Sequence, residues 1–252
     1  MSKIRVMTDA ESFFFEGSAV GCLVLHGFTG TTQSVHFLGE FLAKEGGLTV
    51  VGPRLKGHGT SVEDMAQSSA EDWVRSVEAG LETLRERCSQ IFITGLSMGG
   101  TLTLYMAAMY PDIIKGAIPI NGVVFSDNPD WASLVFMVNA PATIPTIGGD
   151  IKKPDVWELY YKNIPVPAIR QLYTLMSVTK ELLPRVNCPT LVFQSRDDHV
   201  VIPDNAPFII EKIGTKNKRL FWLENSYHVA TLDNDKELIA RETLKFIQNT
   251  LS

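Results

Sequence analysis

Cysteine is scarce in this chain, and its few copies do not pair by spacing. Cys22, Cys88 and Cys188 are odd in number and scattered, with no CxxC motif. That argues against a disulfide framework and for buried thiols in a reducing compartment, so a cytoplasmic location is expected. Positive charge is also short. Lys and Arg total 23 against 28 Asp and Glu, a formal net charge of -5, and no lysine- or arginine-rich block occurs. Nucleic acid is therefore not an expected partner. No metal-ligand cluster stands out, and neither a metal nor an organic cofactor is expected. Repeats, low-complexity tracts and long linkers are missing. The stretch "MSKIRVMTDAESFFFEGSAVG" has acidic residues where a signal peptide carries its apolar core, so no leader is expected there.

One long run lacks charge altogether. "WASLVFMVNAPATIPTIGG", Trp131 to Gly149, holds no Asp, Glu, Lys or Arg. A bilayer crossing takes roughly 20 apolar residues. Asn139, Pro141 and Pro145 interrupt the run, and its second half is rich in Thr and Gly, so stable membrane insertion is not expected.

What the chain does have is 252 residues, 45% of them apolar, and an alternating pattern of elements. "AVGCLVLHG" and "LTVVGPRLKGHG" read as short strands buried on both faces, each ending in a glycine turn. "SAEDWVRSVEAGLETLRERC" places Trp73, Val77, Leu81, Leu84 and Cys88 at helical spacing, with Ser69 and Asp72 set like a capping box. "QIFITG" is a strand, "SMGGTLTLYMAAMYP" a helix that Pro111 stops, and "IKGAIPING" the next strand. "PTLVFQS" and "KRLFWLEN" are strands, and "KELIARETLKFIQNTL" is an amphipathic helix. This is an α/β pattern: a mostly parallel central sheet with helices on both faces. Residues 123–185 break the alternation with seven of the thirteen prolines and with helical expectations around "PDVWELYYKN" and "AIRQLYTLMSVTKELL". They read as a small cap inserted before the last two strands, between core parts 1–122 and 186–252. Such a cap emerges where open α/β sheets bind ligands, at the carboxyl ends of the strands.

"GLSMG", Gly95 to Gly99, matches G-x-S-x-G between a strand and a helix. A sharp turn there lifts Ser97 out of the sheet, and its neighbours must be small for the chain to fit. A serine hydroxyl is a weak nucleophile until an oriented base takes its proton. With nucleophile, acid and histidine in that chain order, His228 in "ENSYHVATLD" is the histidine placed to serve. His26 and His58 sit in earlier glycine turns, His36 at a helix start, and His199 directly after two aspartates; these four are read as structural. The acid belongs in "LVFQSRDDHVV". Asp198 fits best because Val200 and Val201 follow it as an anchoring apolar pair, and Asp197 is the alternative. Two backbone amides must hold the oxyanion, those of Met98 after the nucleophile and Phe28 in "LHGFTG".

Taken together, "LHGFTG", "PRLKGHGT", "GLSMGGTLTLY", "DDHVV" and "NSYHVATLD" resemble bacterial monoacylglycerol lipases of the α/β-hydrolase superfamily, the Bacillus-type enzymes. The small thermophilic carboxylesterases are similar, less closely. The resemblance implies the α/β-hydrolase fold, Ser97, Asp198 and His228 as nucleophile, acid and base, and Phe28 and Met98 as oxyanion donors. It implies two positions in the cap: Glu158 for the glycerol hydroxyls and Ile147 as a gate sensing the acyl chain. The partner is then a small-molecule lipid ester. The uncharged run serves transient lipid contact through the cap, or else forms the cap's own small core. The rivals are a broad carboxylesterase, a thioesterase, which would want a basic rim, and a non-catalytic receptor on the same scaffold. Dehalogenases and epoxide hydrolases require Asp where Ser97 stands.

Overall fold

The structure is a computed structural model that describes residues 5–252; the leader reading of the N-terminal stretch falls partly on residues 1–4, outside the described residues. In chain order the elements are β1 (Phe13–Phe15), β2 (Val20–Leu25), α1 (Gln33–Gly46), β3 (Thr49–Gly52), α2 (Val62–Ala66), α3 (Ala70–Arg85), β4 (Gln90–Leu96), α4 (Met98–Met109) and β5 (Ile114–Ile120). There follow α5 (Pro129–Leu134), β6 (Thr143–Pro145), β7 (Asn163–Pro165), α6 (Val166–Leu182), β8 (Thr190–Ser195), α7 (Asn205–Lys212), β9 (Lys218–Leu223) and α8 (Lys236–Leu251). Seven strands form one sheet in the order β1-β3-β2-β4-β5-β8-β9. Only β1 runs antiparallel to its neighbour, β3.

Side-chain alternation explains the layers. In β2, Leu23 and Leu25 pack towards α3 and α4, while Cys22 and Val24 face α1 and α8. In β4, Ile91 and Ile93 share the first layer and Phe92 and Leu96 the second. Strands covered on both faces have no polar face to show, which is why they read as continuous apolar runs. The N-terminus of α3 carries the expected capping box: Ser69 Oγ accepts from the Asp72 amide at 3.1 Å, and Asp72 Oδ2 accepts from the Ser69 amide at 3.0 Å. The helix ends at Arg85, so Cys88 lies in the following turn and is half-buried; Cys22 and Cys188 are buried, and all three are free thiols.

Between β5 and β8 the chain leaves the sheet. The strands β6 and β7 pair antiparallel as a separate ribbon. Helix α6 is double-sided: Val166 and Ile169 join Leu134 and Ile164 in a small cluster, while Ala168, Leu172, Leu175 and Met176 belong to the main core. The uncharged run divides likewise. Trp131, Ala140 and Ile144 pack on the small cluster, whereas Phe136 is 90% and Val138 94% exposed. No helix among the described residues is long and apolar enough to cross a membrane.

The helical expectation for "PDVWELYYKN" is corrected: residues 154–162 are irregular, and Asp155 has a left-handed φ of 60°. Their backbone groups bond outside the segment. The Leu159 amide donates to Gln33 Oε1 at 3.1 Å, Gln33 Nε2 donates to the Trp157 carbonyl at 3.2 Å, and the Tyr161 amide donates to the Thr29 carbonyl at 3.2 Å. Tertiary partners have taken the groups a helix would have paired with itself.

Candidate active site

Ser97 is the single residue between β4 and α4. Its φ of 57° and ψ of −120° are a conformation that side chains with a Cβ rarely adopt. The surroundings hold it there. The Ser97 amide donates to the Ile120 carbonyl at 2.8 Å, and its carbonyl accepts from Thr101 at 3.0 Å. A Cβ at Gly95 would run into the Gly99 carbonyl, and one at Gly99 into the carbonyls of Leu25 and His26. Glycine at both positions is therefore what lets the turn close.

His228 lies in the loop between β9 and α8 and is 7% exposed. Its Nδ1 stands 2.8 Å from Asp198 Oδ2, which assigns the ring proton to Nδ1 and leaves Nε2 as an acceptor. The other oxygen of Asp198, Oδ1, accepts the amides of Val200 at 2.9 Å and Val201 at 2.8 Å. Asp197 is instead exposed and lies 3.5 Å from Lys152 Nζ. Burial pulls the His228 imidazole towards neutrality. The charge and hydrogen bond of Asp198 outweigh it, with Glu158 and Asp150 adding, so its pKa lies above the ordinary 6.5. Ser97 and His228 line one cavity. No direct hydrogen bond joins them among the described residues; such contacts commonly tighten only when substrate binds.

That cavity holds about 860 Å³ out to its open mouth, and most of its wall is apolar, including Leu96, Trp131, Leu172, Met176 and Val201. Phe28 is in the wall, with its ring edge-on to Trp73 at 5.8 Å. Met98 is not: its side chain is buried in the core, and only its amide, the first of α4, is available at that end. No acceptor takes up the amide of Phe28 or Met98 among the described residues. Ile147 stands on the rim, 45% exposed. Glu158 also lines the cavity; its Oε2 accepts from the Gly149 amide at 3.2 Å. Burial raises the Glu158 carboxyl to about 7, against the Gly149 hydrogen bond and the nearby His228 charge, which lower it.

The remaining histidines have other partners. His26 is buried and pushed down to about 4 by desolvation; its Nε2 accepts the Leu55 amide at 3.1 Å. Burial also holds His58 well below 6.5. His36 packs edge-on against Phe13 and Phe15. Two residues beside the site carried no signal in the sequence. Asn121, at a φ of 46° just past β5, donates from Nδ2 to the His228 carbonyl at 2.7 Å. Asp150 accepts the His228 amide at 3.1 Å.

Comparison with known proteins agrees with this architecture. A family profile described as "Alpha/beta hydrolase family" matches residues 22–242. The chain is similar to a thermostable monoacylglycerol lipase of Bacillus sp. (strain H-257), 49% identical over 242 residues that cover 96% of this chain and 95% of that one. A carboxylesterase of Bacillus subtilis (strain 168) is 30% identical over 246 residues, 97% of this chain and 98% of that one. Among solved structures, a metagenome-derived lipolytic enzyme superposes with a TM-score of 0.95 at 51% identity, covering 97% of this chain and all of the other.

Proposed function

The chain belongs to the alpha/beta hydrolase family and is an ester hydrolase, and on that premise we propose that it cleaves monoacylglycerols to glycerol and a fatty acid through an acyl-enzyme on Ser97. Nε2 of His228 takes the Ser97 proton as Oγ bonds to the ester carbonyl carbon. Asp198 holds the imidazole in the required tautomer and stabilises the imidazolium. The amides of Phe28 and Met98 receive the oxyanion, and the N-terminus of α4 favours its negative charge. On collapse the bond to the glycerol oxygen breaks, and His228 returns its proton to that oxygen. Water then repeats the sequence and releases the fatty acid and free Ser97. No cofactor enters any step.

The substrate reading rests on one observation: a single carboxyl, Glu158, interrupts the apolar wall of the cavity that Ser97 and His228 share. With its pKa raised to about 7 by burial, Glu158 can accept from one glycerol hydroxyl when ionised and donate to another when protonated. Ile147 gates the acyl path from the rim. Residues 123–185 act as a cap, and Phe136 and Val138 make transient contact with lipid. The three free thiols fit residence in the cytoplasm.

The test compares initial rates on 1-lauroylglycerol, dilauroylglycerol and ethyl laurate, with Ser97→Ala protein as the blank. A strong preference for the monoglyceride supports the lipase reading. Equal rates on monoglyceride and ethyl ester make the protein a general carboxylesterase, the activity that the Bacillus subtilis relative is named for.

A further inference from the structure

Asp150 follows two glycines at the end of the uncharged run, and its side chain is only 15% exposed. It makes four bonds across the molecule. Oδ2 accepts from the His228 amide at 3.1 Å and from the His199 amide at 3.3 Å. Oδ1 lies 2.9 Å from His199 Nδ1. The Asp150 carbonyl accepts the Val229 amide at 3.0 Å. His228 is therefore gripped at three places: its ring by Asp198 at 2.8 Å, its carbonyl by Asn121 at 2.7 Å, and its amide by Asp150. The first two grips come from the turn after β8 and from the residue directly after β5. The third comes from the segment inserted between them.

We propose that Asp150 is a positioning residue for His228, joining the inserted segment, the turn after β8 and the histidine loop through one carboxylate. The inference rests on the reading of His228 as the base. Three residues before Asp150 stands Ile147 on the cavity rim, and the Gly149 amide binds Glu158, so the chain that shapes the cavity mouth also holds the base. Loss of the carboxylate frees the His228 amide and lets the imidazole drift from its register between Asp198 and Ser97. Displacements of about 1 Å in such constellations cost on the order of 100-fold in rate.

The carboxylate also contributes charge. It faces His199, whose ring lies 4.5 Å from Tyr227, over which Lys152 is placed at 5.4 Å. Asp197 lies beside Lys152, Asp198 and Glu158 also act on His228 with their charge, and Asp233 binds the amides of Lys152 and Lys153. Asp150 is among the charges that raise His228, so neutralising it moves His228 down.

The experiment uses the full chain with Asp150→Asn, which keeps an acceptor and loses the charge, and Asp150→Ala, which loses both. Readouts are the pH-rate profile on a short soluble ester and the rate at which a fluorophosphonate labels Ser97. A short ester leaves the glycerol contacts out of the comparison. Asp150→Ala is expected to lower kcat by roughly 10- to 100-fold with KM within about twofold, and to slow labelling in parallel. Asp150→Asn is expected to keep most of kcat and to show its acid limb at lower pH. Folded Asp150→Ala protein with unchanged kcat and labelling overturns the proposal. If that variant does not fold, an unmoved acid limb in Asp150→Asn overturns it instead. Ser97→Ala and His228→Ala run alongside. Activity surviving in them breaks the underlying reading, whereas their inactivity beside unaltered Asp150 variants breaks only the positioning role.

Discussion

The central sheet and the segment inserted between β5 and β8 satisfy their backbones in different ways. In β2 and β4 the residues pair in register with neighbouring strands, and side chains alternate between two apolar layers. In the irregular stretches of the segment, outside α5, α6 and the β6–β7 ribbon, peptide groups end on side chains from elsewhere. Gln33 takes Trp157 and Leu159, Asp233 takes Lys152 and Lys153, and Asn205 takes Val124 and Phe125. Strand pairing satisfies the sheet, while these irregular stretches depend on side chains far along the chain. The division of labour follows the same line. The residues proposed for bond making stand at or after strand ends, and those proposed for choosing the substrate stand in the segment.

The largest effect should come from the sheet's side of this comparison. Ser97→Ala is expected to lower kcat by about 10⁵-fold or more with an unchanged melting curve; retained ester hydrolysis would remove the nucleophile from the account. Gly99→Ala should strike the fold itself, because the new methyl meets the Leu25 and His26 carbonyls. A destabilisation of about 3 kcal/mol or more is expected by denaturant melts, and tolerance would mean the turn is not under strain.

Changes in the segment should instead sort by substrate. Glu158→Ala is expected to raise KM for 1-lauroylglycerol about tenfold, roughly 1.4 kcal/mol, while leaving KM for ethyl laurate within about twofold. Equal effects on both esters would detach Glu158 from the glycerol. The pH profile probes where the two regions meet. His228 must be neutral to accept the proton, and its pKa is raised mainly by Asp198 against burial, so the acid limb of kcat/KM should have its midpoint above about 6.5. A midpoint below that value contradicts the electrostatics described. The smallest effect belongs to the rim. Phe136→Ser with Val138→Ser should change stability by no more than about 0.5 kcal/mol and leave soluble esters unaffected. The same pair should slow hydrolysis of vesicle-borne monoglyceride about threefold; no change there would argue against lipid contact.

How much of this was legible follows the same division. Strands β2, β3, β4, β5, β8 and β9 are readable because burial in the sheet leaves continuous apolar runs. Helices α3 with its capping box, α4, α6 and α8 are readable because helical composition is bounded by caps and prolines, whereas β1, β6 and β7, three residues each, are too short to display a pattern. Asp198 is separable from Asp197 because Val200 and Val201 follow at the spacing whose amides its Oδ1 accepts. The helical expectation for residues 154–163 fails because helix-compatible composition says nothing of Gln33, 124 residues away, which captures the backbone. Asn121 and Asp150 escape notice for a related reason. Their roles lie in contacts with a loop more than 70 residues further on, and a lone Asn or Asp carries no pattern.

The most direct test traps the intermediate. Mixing the protein with 1-lauroylglycerol, quenching in acid within the first turnover and mapping the peptides by mass spectrometry should place one lauroyl group on Ser97, with none in Ser97→Ala protein. A lauroyl group on another residue, or turnover that persists in Ser97→Ala, would contradict the account.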